Sequence, residues 1–182
     1  MKKEFGLITL FLCSLIGYSC SSPKFYKEIK STYKTANNDR AIYSKDINKD
    51  ILKLLEKELE NTNHIIYFQE GIPTDNIKKT DYNIVVWDLN NQKYYTLAYK
   101  KSEDQILLKE VSKTLNNEYF DFVRDYYLKN ECDSLTKMGL ASNHSGIRIL
   151  HNIYEVNLKD KIVKECSFWD IHFTYWYKEF SN

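Results

Sequence analysis

Residues 81–100, DYNIVVWDLNNQKYYTLAYK, decide how the fold is read. Asp81 to Leu89 is apolar on both faces, which suits a central strand. Asn90-Asn91 supplies a two-residue turn, because Asn tolerates positive φ. Gln92 to Lys100 returns antiparallel, with Tyr95 and Tyr99 on one face and Tyr94 on the other. This hairpin makes a sheet the organising element, and the flanking segments are read as strands or as helices covering it.

Upstream, HIIYFQ (His64 to Gln69) is a short β-type run closed by Gly71 and Pro73. Before it, Ile47, Ile51, Leu54, Leu55 and Leu59 form one apolar stripe, which predicts a helix over Asp46 to Glu60. Asp46 is its N-cap, and Asn61 and Asn63 mark its exit. Downstream, Ser102-Glu103-Asp104-Gln105 has the form of a capping box, and a helical stripe follows from Leu107 to Tyr126. Asn116-Asn117 divides that stripe into two helices, with Asn117 capping the second. A third hairpin strand over Gln105 to Val111 is the competing reading, and the capping box decides against it. Glu131 to Ser145 is expected to be a loop. Ile147 to Leu158 and Lys161 to His172 form a second hairpin around Lys159-Asp160. Trp169, Ile171, Phe173, Tyr175 and Tyr177 alternate onto one face of its second strand. Grouped strands and grouped helices predict an α+β fold: an antiparallel sheet of about five strands, with two to three helices packed on one face.

The N-terminus has a different character. Lys2 and Lys3 precede an apolar run from Phe5 to Ile16, and Gly17 and Ser19 flank Tyr18 before Cys20. A positive start, a short apolar core and small residues are the layout of a secretory signal. The run is about a dozen residues, whereas a spanning helix needs about 20. Leu15-Ile16-Gly17-Tyr18-Ser19-Cys20 resembles the lipobox of bacterial lipoproteins. The resemblance implies cleavage before Cys20 and diacylglycerol on its thiol. It implies membrane lipid as the partner at Cys20, with an ordinary signal-peptidase cut as the alternative. It covers only the first twenty-odd residues. The domain plan is then a signal peptide over 1–19, a lipidated Cys and polar tether over 20–40, and a single α+β domain over 41–182. In lipoproteins of the class it resembles, an Asp directly after the Cys signals inner-membrane retention, so with Ser21 there the resemblance implies the outer membrane, and the lack of an acidic run after Cys20 implies a position facing the periplasm. Export places the chain in an oxidising compartment. Cys13 leaves with the signal and Cys20 carries lipid, so Cys132 and Cys166 are left to pair as a disulfide.

Composition narrows the function. Removing residues 1–19 takes away Lys2, Lys3 and Glu4, which brings the formal charge from +1 to zero. A neutral exported chain has no electrostatic footprint for nucleic acid. Of five glycines, Gly6 and Gly17 lie in the signal, so no phosphate-cradling loop can be written. No G-x-S-x-G, H-E-x-x-H, C-x-x-C or calcium-loop pattern occurs, and no cofactor is expected. His144, Ser145 and Asp170 can be written as a triad, but without a nucleophile elbow such a set is a chance grouping. Asp170 and His172 share a strand face, and His151 on the neighbouring strand could join them around a metal. They are the weak metal candidates.

The chain holds 15 Tyr, 9 Phe and 3 Trp, enough for an aromatic contact surface as well as a core. Tyr94, Tyr175 and Trp176 are the candidate ligand-binding residues. The expected function is a non-enzymatic envelope lipoprotein that binds or assembles with a protein or glycan partner. The alternative is a small envelope hydrolase, metal-dependent or not, built on His151, Asp170 and His172.

Overall fold

A computed structural model describes residues 22–32, 39–72, 81–100, 103, 105–115, 117–141, 150–169 and 171. Its centre is the expected hairpin: β2 (Asp81–Asp88) pairs antiparallel with β3 (Lys93–Lys100), from Tyr82 opposite Tyr99 to Asp88 opposite Lys93. The turn is longer than expected. Leu89 to Gln92 separate the strands, and the positive φ falls on Gln92 (53°) instead of Asn90 or Asn91. Asp88 explains this, because its Oδ1 accepts the N–H of Asn90 (3.0 Å) and of Asn91 (3.1 Å) and closes the loop from inside. The last hairpin repeats the device. Between β5 (Leu150–Asn157) and β6 (Ile162–Trp169), Asn157 Oδ1 accepts the N–H of Lys159 and of Asp160, both at 3.1 Å, and Lys161 takes φ 55°.

The strands form one antiparallel α+β sheet of six, in the order β4-β3-β2-β1-β5-β6. β1 is His64–Ile72 and β4 is Gln105–Ser112. β1 is central, with Phe68 opposite Val85 on β2 and opposite Ile153 on β5.

Four helices occur among the described residues: α1 (Lys24–Thr32), α2 (Asp39–Leu54), α3 (Glu118–Leu128) and α4 (Cys132–Ala141). They cover both faces, not one. Ile65 and Tyr67 share a core with Phe25, Tyr26 and Ile29 of α1 and Ile51 of α2. Ile66 and Phe68, pointing the other way, share a core with Phe120 and Val123 of α3 and Leu135 and Met138 of α4. Two-sided burial is why the central strands are continuous apolar runs.

Four local expectations change. First, residues 24–32 lie within the segment read as a tether, yet they form α1, and Phe25, Tyr26 and Ile29 are buried in the core. Three apolar residues on one face are too few to show as a period, but they suffice for nine helical residues. Second, α2 is shifted towards the N-terminus of its expected span. Ile47, Ile51, Leu55 and Leu59 are buried as the stripe requires, while Leu54 stands exposed and Leu52 is buried instead.

Third, Gln105 to Ser112 is a strand, not a helix, and its register with β3 shows why. Leu97 faces Leu108 while Thr96 faces Glu110, so Lys109 is an extra, bulged residue. The bulge places Leu108 and Val111 on the same face, which in sequence mimics the i, i+3 spacing of a helix. Fourth, the expected loop after residue 130 contains α4. Asn130, at φ 60°, ends α3, and the Glu131 N–H bonds back to Tyr126 O at 3.0 Å. Asn117 caps α3 as expected, accepting from the Phe120 N–H at 2.9 Å.

Candidate functional site

Cys132 opens α4 and Cys166 lies in β6. Their Cα atoms are 5.9 Å apart and the sulfurs are bonded at 2.06 Å. Seven residues further along α4, Gly139 lies against the backbone of Trp169 at the end of β6. Seven helical residues and three strand residues both advance about 10 Å, so α4 lies along β6 and is held at two points.

α3 lies along β5 in the same way. Tyr119 reaches His151, and eight residues later Tyr127 reaches Glu155, four residues further along the strand. At the first contact the Tyr119 hydroxyl is hydrogen-bonded to His151 Nδ1 at 2.9 Å. Edge-on rings of Phe68, Tyr119 and Phe168 surround the imidazole, with centroids at 6.1, 5.6 and 5.6 Å. His151 is 3 % exposed, so it is a core residue held by aromatics.

The second contact is richer. Glu155 Oε1 accepts from His64 Nε2 at 2.9 Å, and Oε2 accepts from the Tyr127 hydroxyl at 3.0 Å. Lys164 Nζ lies 3.2 Å from Oε2. Burial works to raise the Glu155 carboxyl, but its bonds to His64, Tyr127 and Lys164 overcome this and hold it below its ordinary value. Burial and the neighbouring Glu155 push the Tyr127 phenol up. The carboxylate thus joins β1, β5, β6 and α3, and both of its oxygens are engaged in doing so. Nothing in the sequence marks Glu155 out, because its partners come from three distant segments.

Tyr94 is half-buried on the α3 side of the sheet. It stacks on Trp87 with centroids 5.4 Å apart and meets Phe120 edge-on at 6.2 Å. The Arg124 guanidinium lies 5.8 Å from the Trp87 ring and is held by Asp121 and Asp125. Tyr95 and Tyr99, on the other face, are buried. Trp87 therefore covers one face of the Tyr94 ring.

The more open apolar surface is the β4 edge. Leu107, Leu108 and Val111 are 45, 44 and 47 % exposed. Leu108 and Val111 share the face of Leu97 and Tyr95, and Leu107 takes the other face beside Ala98. Lys109 sits in the bulge between them. A bulge and a lysine both discourage indiscriminate strand pairing, so apolar side chains are what this edge offers.

Cys20, Asp170, His172, Tyr175 and Trp176 lie outside the described residues. Among the described residues no group of three or more His, Cys, Asp or Glu could hold a metal ion. No helix among them is long and apolar enough to cross a membrane. No protein-family model, no curated protein and no solved structure matches the chain.

Proposed function

We propose that the protein is an envelope lipoprotein, anchored through Cys20 in the outer membrane and facing the periplasm, that acts as a non-enzymatic binding or assembly module. The observation that carries the binding reading is the β4 edge, where Leu107, Leu108 and Val111 stand exposed on a strand whose other side is hydrogen-bonded to β3. Leu108 and Val111 stand on one face of this edge and Leu107 on the other, so a protein segment that lies along β4 and meets both faces with apolar side chains fits it. The Cys132–Cys166 bond supports an oxidising compartment. The Lys2-Lys3 start, the apolar run and Ser19-Cys20 support export and lipidation.

The test uses a photo-crosslinking amino acid at Leu107 or Val111 in the native envelope, with Glu165 on the opposite edge strand as control. A discrete adduct with one envelope protein from the β4 positions, weakened by Leu108→Asp, is expected. Equal adducts from Glu165, or none from β4, would remove the proposal. The anchor has its own test: Cys20→Ala should move the protein from the membrane pellet to the soluble envelope fraction and abolish lipid labelling.

A further inference from the structure

We infer that the end of the sheet carrying the β2–β3 and β5–β6 turns seats on the phospholipid headgroups around Cys20, with the strands standing away from the membrane. This rests on the proposed lipidation of Cys20, and it follows from how little chain separates that residue from the fold. Only Ser21, Ser22 and Pro23 lie between Cys20 and α1, and Pro23 is itself buried. Four residue steps reach at most about 14 Å even when fully extended.

α1 is also fixed in place. Phe25, Tyr26 and Ile29 are in the core. Lys24 Nζ donates to the backbone oxygens of Glu60 (2.8 Å) and Thr62 (2.6 Å). Burial lowers the Lys24 amine, with Glu60 and Asp88 pulling it back up, as suits an ammonium drawn against the fold.

Those two carbonyls lie just before β1, at one end of the sheet. Both turns are tied to the same place. Leu158 donates its N–H to Asn63 O at 2.8 Å, and Leu89 donates to His64 O at 3.1 Å. Asn90 Oδ1 accepts from the N–H groups of Asn63 and His64, both at 2.9 Å. The anchor therefore enters the bilayer within about 14 Å of Lys24, beside these two turns. The β5–β6 turn exposes Lys159, Asp160 and Lys161, and Lys93 stands exposed where β3 begins. The ammonium groups of the three lysines suit phosphate oxygens of the headgroup layer.

The experiment places full-length lipidated protein in phosphatidylcholine vesicles containing lipids with a quencher on the headgroup. A fluorophore is attached at Lys161→Cys or Asn91→Cys, and at Gln105→Cys at the far end of the sheet, about 25 Å away along the strands. Quenching several-fold stronger at the two turn positions than at Gln105 is expected. Inserting a flexible Gly/Ser segment of about 20 residues after Ser21 should erase that difference, because the reach then exceeds the length of the domain. Equal quenching at all three positions without the insertion, or the strongest quenching at Gln105, overturns the seating. Lipid on Cys20 is measured in the same samples. Its absence refutes the anchor and with it this inference, whereas labelled protein quenched at Gln105 refutes the seating alone.

Discussion

Gly139→Ala sets two effects of opposite sign against each other. In an ordinary helix interior this change stabilises by about 1 kcal/mol, because Ala loses less backbone entropy than Gly. Gly139 has no positive φ that would make Ala unwelcome. Its surroundings decide the sign. A Cβ here would fall well inside van der Waals contact with the Trp169 carbonyl oxygen, with the carbonyl carbon at 3.0 Å and the nitrogen at 3.1 Å. All three atoms are backbone, so no side chain can swing aside. Relief requires α4 to lift from β6, and the Cys132–Cys166 bond at the other end of the helix restrains that movement. Overpacking of this kind costs about 1–3 kcal/mol, and the tight, backbone-only contact puts it towards the upper end. Net destabilisation of about 1–2 kcal/mol is expected, lowering the midpoint of thermal unfolding by about 3–6 °C for a domain of this size. Urea unfolding of the oxidised protein measures it, with Lys137→Gly against Lys137→Ala on the exposed side of α4 as the propensity control. A Gly139→Ala protein more stable than the parent would refute the close approach of α4 to β6.

Three further outcomes follow from the same contacts. Replacing both Cys132 and Cys166 with Ala should cost about 4 kcal/mol in the chain-entropy model, and thiol counting on the denatured, unreduced parent should find neither free; two alkylatable thiols there would contradict the bond. Phe25→Ala should destabilise by about 3–5 kcal/mol as a buried ring, and limited proteolysis of the parent should leave a core that retains Phe25 and Tyr26; early loss of α1 would show that it is not integral. Glu155 titrates below its ordinary value in the folded protein, so its contribution is present at neutral pH and lost as pH falls below about 4.5 through the lower folded value; Glu155→Gln should flatten the acid limb of the stability profile, and an unchanged limb would remove Glu155 as its cause.

The parts of the fold legible in the sequence were those with local causes. The β2–β3 hairpin, the Asn117 cap and the Ile47-Ile51-Leu55-Leu59 stripe each depend on residues close in the chain. β4 reads as a helix because a bulge at Lys109 converts strand spacing into helical spacing, and no sequence period distinguishes the two. α4 gives little sequence signal because its buried set is small and its glycine, a poor helix former, is needed for contact with Trp169. The α1 segment reads as a tether because Phe25, Tyr26 and Ile29 acquire meaning only against a sheet built by later residues. The Cys132–Cys166 pairing was legible by counting, whereas the Glu155 network was not, since His64, Tyr127 and Lys164 meet it only after folding.

The strand order also bears on the history of each molecule. Among the described residues β1 is the first sheet strand to be made, yet one of its two neighbours, β5, belongs to the last hairpin. A chain emerging N-terminus first can close the local meander β1 to β4 early, because consecutive strands pair with little loop to close. The opposite side of β1 then waits, its backbone donors and acceptors unpaired and Ile66 and Phe68 still without Ile153, until β5 and β6 arrive. During that interval a strand that the finished fold buries on both faces is a temporary edge, open to any other extended chain nearby. α3 and α4 are made just before β5, so sealing that edge and joining Cys132 to Cys166 are both completed by the final hairpin. Slowing that hairpin would lengthen the vulnerable interval without changing the stability of the finished fold.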